Sequence, residues 1–353
     1  MKNFLLLGNV KDLQTGVYIV ESIESLGHNV EFIDIRNIVN KLGNHPGQVE
    51  ILKQIDKVQK TPDIIIVLKG REITYDTLNK IKTKFKNAIF TNWFFDVLFG
   101  YDKIWDAHAF FPTLKLYDFY FCSLRGVVDK LRDRGFKNVY YLGEACFPPL
   151  HGEQYMNNFQ RRKYGSDVAF CGSIGFSLQH ANRIPILQKI INAGCNTKIW
   201  GEIAGKKTLI PIELLNCHQN AAVINERHSM VCQSSLINIG IDQMPELDMS
   251  FSARVYRILC AGGLYLSTAT KGLDNIFILN KEGEEITNKQ DIVVFYNEDD
   301  LINKIDFLLE NEDIRESIAK NGKEKVKKYT FKYRIKEMIG VIENEYNEMR
   351  TSK

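Results

Sequence analysis

The chain has 353 residues, of which 44% are hydrophobic and 25% charged, and its net charge is +3. At about 100–200 residues per domain, this length predicts two soluble domains whose cores need neither disulfides nor metals. The small net charge gives no reason by itself to expect a nucleic-acid-binding protein.

The chain also lacks the patterns of exported and membrane-spanning proteins. Residues 4–7 form an apolar run too short for a signal peptide, so we interpret the start as a strand. No stretch approaches the roughly 20 apolar residues of a membrane-spanning helix. The seven cysteines show no C-x-x-C spacing, which favours buried thiols in a reducing compartment and a cytoplasmic protein.

Strand and helix patterns alternate through the first half of the chain. In order, they predict strand 3–8, helix 15–27, strand 29–36, helix 48–59, strand 63–68, helix 73–84, strands 87–91 and 118–122, helix 124–135 and strand 138–142. Fully apolar strands such as 63–68 are typical of parallel sheets covered on both faces. This alternation predicts a doubly wound α/β domain.

Residues 143–166 interrupt this alternation and read as a linker, after which it resumes. The predicted elements are strand 167–171, helix 180–193, strand 196–200, helix 219–232, strand 235–240, helix 252–261, strands 263–267 and 292–296, and helices 298–310, 312–328 and 332–350. The sequence therefore predicts two Rossmann-like α/β domains, at 1–150 and 165–330, facing a cleft. Ligands of such domains bind beyond the carboxyl ends of the strands.

Two strand ends of the second domain carry candidate binding residues. In C-G-S-I-G, Gly172 permits a close backbone approach and Ser173 can donate a hydrogen bond, which suits a phosphate. A plain strand-to-helix turn is the alternative. Arg183 either reaches the same pocket or is a solvated helix residue. In W-G-E, Trp200 either stacks on a nucleobase beside Gly201 or is a core residue.

The stretch F-S-A-R-V-Y-R-I-L-C-A-G-G-L-Y-L-S, residues 251–267, places two arginines in an apolar helical pattern. Ser252 is the expected N-cap. Arg254 and Arg257 are three residues apart and share a helix face. Guanidinium groups bind phosphate oxygens with two parallel hydrogen bonds, so we interpret the pair as a diphosphate site, with surface salt bridges as the alternative.

No metal site is expected, because D-x-D, H-x-x-x-H and H-E-x-x-H patterns are missing from the sequence. In the first domain, three strand-end stretches are suggestive: G-N-V at 8–10, K-G-R at 69–71 and T-N-W-F-F-D at 91–96. Asp96, His108 and Glu144 are the candidate general bases for an acceptor hydroxyl, although each is compatible with a structural role.

The second half resembles the donor-binding domain of group 1 glycosyltransferases with the GT-B fold, and within them the CgeB-like subgroup. The likeness rests on D-V-A-F-C-G-S (167–173), K-I-W-G (198–201), S-S-L-I-N-I (234–239), S-A-R-V-Y-R-I-L-C-A-G-G (252–263) and the tail that begins with K-G-L-D-N-I-F. It covers about 165–345 well and the first domain only by architecture.

The resemblance implies residue roles and one departure. It places Asn238 and Trp200 near the nucleoside or sugar, and Tyr256 lies within the matching arginine stretch. It also implies that helix 332–350 packs back on the first domain. Most relatives carry Glu where this chain has Arg257; that acid contacts the donor, whereas Arg257 cannot accept a hydrogen bond.

The leading hypothesis is therefore a metal-independent hexosyl- or pentosyltransferase that moves a sugar from a nucleotide-diphosphate sugar to an acceptor hydroxyl on a glycan, protein or other surface acceptor. It needs no cofactor beyond its co-substrate, for which a UDP-sugar is the first expectation. Retention and inversion of the configuration at the transferred sugar's anomeric carbon both stay open.

Two other functions stay open. One is a phage-type DNA glycosyltransferase acting on a hydroxylated base, with a basic cleft supplied by Lys53, Lys57, Lys60, Lys80, Lys82, Lys84 and Lys86. The other is a catalytically degenerate nucleotide-binding scaffold, for which the replaced acid at Arg257 is the support.

Overall fold

The protein was analysed as a computed structural model that describes residues 1–10, 15–96, 112–176, 180 and 182–351. The chain divides into two compact units. Unit 1 consists of Met1–Glu144 together with Phe331–Lys353, and unit 2 is Ala145–Thr330. The chain thus leaves unit 1 inside the stretch that the sequence marks as a linker, and returns to it for the last helix.

Unit 1 contains a six-stranded parallel sheet with the order β2-β1-β3-β4-β5-β6. The strands are β1 Asn3–Gly8, β2 Asn29–Asp34, β3 Ile64–Leu68, β4 Ile89–Phe94, β5 Phe119–Cys122 and β6 Val139–Tyr141. The named helices are Thr15–Ser25, Ile35–Leu42, Asn44–Ile55, Tyr75–Lys84, Arg125–Asp133 and Phe331–Thr351. All five residues of β3 are buried, as expected for a central parallel strand covered on both faces.

The strand predicted at 29–36 is shorter, because a helix begins inside that range. Asp34 Oδ1 accepts a hydrogen bond of 2.9 Å from the backbone N–H of Asn37. This side-chain cap starts helix Ile35–Leu42, which the sequence analysis did not predict. A carboxylate that satisfies an otherwise unpaired N–H favours a helix start over one more strand residue.

The last helix is an integral part of unit 1. Phe331 is fully buried, and its ring centroid lies 5.6 Å from that of Tyr18 and 6.0 Å from that of Trp93. Farther along, Ile335, Met338 and Ile342 are buried. These apolar residues recur at helical spacing, so one face of the helix closes the core of unit 1.

Unit 2 contains a five-stranded parallel sheet with the order β13-β12-β11-β7-β9 and a two-stranded parallel sheet of β8 and β10. The strands are β7 Val168–Cys171, β8 Ile174–Gly175, β9 Thr197–Trp200, β10 Ile203–Ala204, β11 Ile237–Gly240, β12 Tyr265–Thr268 and β13 Val293–Phe295. The α-helices are Pro148–His151, Asn158–Tyr164, Arg183–Asn192, Ile212–Cys217, Asn225–Ser234, Arg254–Cys260, Glu298–Glu310 and Glu312–Val326. Aliphatic residues of these strands and helices form one continuous core.

Two stretches of unit 2 differ from the prediction. The helix predicted at 219–232 is two helices, Ile212–Cys217 and Asn225–Ser234. Asn220, between the two helices, and Asn225, at the start of the second, both have φ of 52°, a left-handed conformation that interrupts a helix and that asparagine tolerates. The predicted linker also contains helix Asn158–Tyr164, which begins with a capping box formed by Asn157 and Gln160.

Candidate functional site

The candidate site lies where strand β7 ends at the carboxyl edge of the unit 2 sheet. Arg254 Nε donates a hydrogen bond of 2.9 Å to the carbonyl oxygen of Cys171, the last residue of β7. A Cβ on Gly172 would lie 2.9 Å from both Arg254 Nη2 and Phe170 Cζ. Only glycine therefore lets this guanidinium rest directly on the strand end.

A second arginine holds the same strand end. Arg183 Nη1 donates to the carbonyl oxygen of Ser173 at 2.6 Å. The guanidinium carbons of Arg183 and Arg254 lie 5.7 Å and 5.3 Å from the centroid of the buried Phe170 ring. Aromatic faces attract cations at this distance, so Phe170 orients both arginines. Phe170 was not among the predicted site residues, although its position two residues before Gly172 could have suggested this role.

Gly201 belongs to the same strand-end cluster. A Cβ on Gly201 would lie 2.2 Å from the carbonyl oxygen of Gly172. The backbone N–H of Gly172 also donates to the carbonyl oxygen of Trp200 at 2.8 Å. These two close approaches hold the ends of β7 and β9 together. The structure thus brings together five of the predicted residues: Gly172, Ser173, Arg183, Gly201 and Arg254.

Ser252 and a buried acid shape the other side of Arg254. Helix Arg254–Cys260 begins after Ala253, so Ser252 is not its N-cap, although Ser252 Oγ accepts from the Arg254 N–H at 3.3 Å. Asp242 accepts hydrogen bonds from the Ser252 N–H and from Thr270 Oγ1, each at 3.3 Å. Burial raises the pKa of Asp242 while the charge of Arg254 opposes the shift. Asp242 was also missed, because a lone acid after a strand carries no motif.

The two arginines of helix Arg254–Cys260 keep unused hydrogen-bond donors. Arg254 Nη1 and Arg257 Nε are buried and have no hydrogen-bond partner among the described residues. Within that same part of the chain, neither guanidinium forms an ion pair with a carboxylate. Buried donors without acceptors cost free energy, so the arrangement is suited to an anion supplied from outside the chain.

Two buried histidines accompany Arg257. Helices Pro148–His151, Asn225–Ser234 and Arg254–Cys260 pack against one another. Burial, reinforced by the charge of Arg257, lowers the pKa of His151 to about 2. The same two causes, in the same order, lower the pKa of His228 to about 3. His151 Nδ1 accepts from the Phe147 N–H at 2.9 Å, which fits a neutral ring. The positive charge here is therefore that of the arginines alone.

Three of the predicted binding residues are used in packing instead. Trp200 is 4% exposed and packs against Tyr164 in a small apolar cluster. Asn238 is buried, and its amide donates to the carbonyl oxygens of Cys232 and Leu264 at 3.0 and 3.2 Å. Tyr256 lies in an aromatic cluster with Phe251, Phe277 and Tyr329. A donor-binding role for these three residues stays a prediction.

In unit 1, residues from the three strand-end stretches named in the sequence analysis line the same pocket. Asn9, Lys69 and Phe95 line one pocket together with Arg36 and Glu72. This pocket lies beyond the carboxyl ends of β1, β3 and β4.

Asp96 lies beside that pocket and is held by two cations. Its Oδ2 is 2.8 Å from Lys69 Nζ and 3.4 Å from Arg71 Nη2. Glu144 is the last residue of unit 1 before the chain enters unit 2, and its carbonyl oxygen accepts from Arg334 Nε at 3.3 Å. The third candidate base, His108, lies outside the described residues.

Neither a metal cluster nor a membrane-spanning helix is present among the described residues. No group of three or more His, Cys, Asp or Glu side chains there could hold a metal ion. Among the helices of the same residues, none is long and apolar enough to cross a membrane.

Comparison with known proteins assigns the chemistry. Residues 183–340 match the family described as glycosyl transferase-like, whereas no curated protein matches the chain in sequence. This match includes Arg183, Arg254 and Arg257. The protein is a glycosyltransferase.

Solved structures of similar fold agree over nearly the whole chain. The catalytic domain of starch synthase IV from Arabidopsis thaliana, bound to ADP and acarbose, has a TM-score of 0.66 at 10% identity, with 99% of each chain covered. An α-glucosyltransferase in complex with UDP-glucose and DNA containing an abasic site has a TM-score of 0.61 at 12% identity, with 97% of this chain and 99% of that chain covered. This glycosyltransferase therefore has the two-domain, Rossmann-like GT-B fold.

Proposed function

We propose that the protein is a CgeB-like glycosyltransferase that moves a hexose or pentose from a nucleotide-diphosphate sugar to an acceptor hydroxyl without a metal ion. The observation that carries this proposal is the pair of buried guanidinium N–H groups, on Arg254 and Arg257, that have no partner among the described residues. A diphosphate supplies the acceptors that these donors lack.

The geometry of Arg254 suits a role in catalysis as well as binding. Its Nε is fixed by the Cys171 carbonyl oxygen, and its guanidinium rests on the Phe170 ring, so the group is oriented before a ligand arrives. As the sugar leaves, negative charge grows on the diphosphate, and fixed cations stabilise that charge. The arginines thus take the part that a divalent ion plays elsewhere.

A UDP-sugar is the first donor that we propose. The similar α-glucosyltransferase holds UDP-glucose, whereas the similar starch synthase holds ADP. Arg257 stands where most CgeB-like relatives are expected to have a glutamate that contacts the donor, and an arginine cannot accept a hydrogen bond from a ribose hydroxyl. We therefore assign Arg257 to the phosphates rather than to the ribose.

Whether the protein must supply a base for the acceptor hydroxyl depends on the stereochemical outcome of the transfer. An inverting reaction needs a protein base, for which Asp96, His108 and Glu144 stay the candidates. The carboxylate of Asp96 already contacts Lys69 and Arg71, so an acceptor hydroxyl would have to share it with two cations. A retaining reaction does not make such a base obligatory.

The test is a thermal-shift screen with UDP, GDP, ADP and CDP and their sugars, on the wild type and on Arg254→Ala. A nucleotide present at about 100 times its dissociation constant stabilises the folded state by about 2.7 kcal/mol. Loss of charge-assisted hydrogen bonds in Arg254→Ala should weaken binding about a hundredfold and remove most turnover. The exposed Arg227 provides the control variant Arg227→Ala, which should behave as the wild type.

Each negative result of this screen has a separate meaning. Near-normal turnover of Arg254→Ala at saturating donor would overturn the diphosphate role of Arg254. A wild type that no nucleotide stabilises would instead favour the degenerate scaffold.

A DNA acceptor is the second candidate, because the similar α-glucosyltransferase is bound to DNA. Three of the seven lysines that the sequence offers for a DNA cleft lie at the other edge of the sheet from the unit 1 pocket. Lys53, Lys82 and Lys84 lie in the last turns of helices that lead into β3 and β4, hence at the amino ends of these strands. Asp96 and the unit 1 pocket lie at the carboxyl ends. A gel shift with hydroxymethylated duplex DNA at low salt tests this candidate, and the absence of binding would eliminate it.

A further inference from the structure

The segment that connects the start of unit 2 to its first strand carries unusually exposed aromatic side chains. Tyr155 is 93% exposed and Phe159 is 68% exposed. Among the large hydrophobic side chains that the structure describes as exposed, no other aromatic exceeds 53%. Transfer of rings of this size from water to an apolar surface is favourable.

The same segment is basic. From residue 154 to residue 166 it contains Arg161, Arg162 and Lys163 and no acid. The nearest preceding acid, Glu153, is neutralised by Lys323 at 2.6 Å. All three basic residues are exposed, so this stretch presents cations that no carboxylate on it offsets.

Helix Asn158–Tyr164 places rings and cations side by side. Phe159, Arg162 and Lys163 stand at i, i+3 and i+4, which puts them on one face of the helix. A capping box at Asn157 and Gln160 fixes its start, and Lys198 Nζ donates to the carbonyl oxygens of Arg162 and Lys163 near its end. The buried Tyr164 anchors the opposite side. The exposed face is therefore held in position and not merely a flexible tail.

We propose that a docking face formed by Tyr155, Phe159, Arg162 and Lys163 binds the protein to an anionic lipid surface. Aromatic rings are favoured at the boundary between headgroups and acyl chains, and adjacent cations are attracted to anionic headgroups. A planar lipid surface meets both needs at once, because Phe159, Arg162 and Lys163 share one face of the short helix and Tyr155 lies just before it. The docking face is separate from the arginine site and does not depend on the donor proposed above.

The expected strength of membrane binding follows from the charges of the docking face. Each lysine or arginine near an anionic membrane strengthens binding by about fivefold, and the attraction is screened by salt. Two cations together should contribute about twenty-five-fold. The two rings add an apolar contribution that salt does not weaken.

The test is sedimentation of the full chain with vesicles, either of phosphatidylcholine alone or of phosphatidylcholine and phosphatidylglycerol in equal parts. The wild type should sediment with the anionic vesicles and remain in solution with the neutral ones. Arg162→Gln with Lys163→Gln should weaken anionic-vesicle binding about twenty-five-fold. Tyr155→Ser with Phe159→Ser should reduce binding in low and in high salt alike.

The matched control is Lys327→Gln with Lys328→Gln, which removes the same charge from another exposed pair in unit 2 and should leave binding unchanged. Thermal melting checks that every variant is folded, as expected for exposed positions. The proposal would be overturned if the wild type did not bind anionic vesicles. It would also be overturned if the control lost binding as strongly as Arg162→Gln with Lys163→Gln. Loss of binding to a single-stranded oligonucleotide in the same variants without any effect on vesicles would overturn it as well.

Discussion

Arg257 lies beside two buried histidines whose protonation states affect how the site can meet an anion. His151 and His228 are buried close to it and are kept neutral. Two neutral rings beside Arg257 add no competing positive charge, so a ligand meets arginines alone. A phosphate bound beside Arg257 would favour protonation of these histidines, since an opposite charge raises a histidine pKa.

The buried histidines should make the stability of unit 2 depend on pH. The pKa of His228 is about 3 in the folded protein, below its usual value of about 6.5. Its contribution is therefore complete above about pH 6.5 and is lost as the pH falls towards the folded value, because only the unfolded chain takes up the proton. In His228→Gln, the free energy of unfolding should fall less steeply between about pH 6 and 4, by about 1.4 kcal/mol per pH unit.

Urea unfolding across this pH range measures the effect. His45→Gln is the matched control, because His45 is exposed and should leave the slope unchanged. An unaltered slope in His228→Gln would show that this ring takes up its proton as readily in the folded protein as in the unfolded chain.

At the level of elements, the helix that ends the chain completes a core built from its beginning. Phe331 contacts the rings of Tyr18 and Trp93, which lie in the first helix and the fourth strand of unit 1. Arg334 is buried as well; its Nε donates to the carbonyl oxygen of Glu144, and its Nη1 pairs with Glu337 one turn farther along the same helix. The packing of this helix is thus part of the stability of unit 1.

Phe331→Ala should therefore destabilise unit 1 by about 3–5 kcal/mol, the cost of emptying a buried phenylalanine site. The variant should keep nucleotide binding by unit 2 as long as the protein remains folded. Urea unfolding gives the first quantity and a thermal shift with nucleotide the second. The exposed Tyr333 on the same helix offers the control Tyr333→Ala, and an equal loss in both variants would argue against a packing role.

The elements were largely predictable, because the alternation of apolar strands and amphipathic helices is a local property of the sequence. Helix Glu298–Glu310 has the predicted bounds, and β1 does as well. Helix Ile35–Leu42 was missed because one cap at Asp34 decides between strand and helix. The strand-end glycine Gly172 could be identified from its spacing. The burial of Trp200 and Asn238 could not, since it depends on partners distant in sequence.

At the level of the whole molecule, unit 2 is continuous in sequence whereas unit 1 is assembled from two pieces. Unit 2 has its own aliphatic core and contains all three arginines of the candidate site, Arg183, Arg254 and Arg257. Continuity and an independent core are what a separately folding domain needs.

A fragment of residues 145–330 should consequently fold alone and retain the nucleotide preference of the full chain. A fragment of residues 1–144, which lacks Phe331–Thr351, should be far less stable than the same residues joined to that helix. Circular dichroism melting and the nucleotide thermal shift check both statements. A fragment 145–330 that fails to melt cooperatively would show that unit 2 depends on unit 1.

Because unit 1 is built from two pieces of the chain, the two units are completed in a fixed order during synthesis. A ribosome completes Thr330 before it reaches Phe331, so all of unit 2 exists as chain before the helix that closes the core of unit 1 can be made. Domains generally fold as they emerge, from the amino end onwards. Here the domain that is begun first is finished last, and Tyr18 and Trp93 await their aromatic partner throughout the synthesis of unit 2.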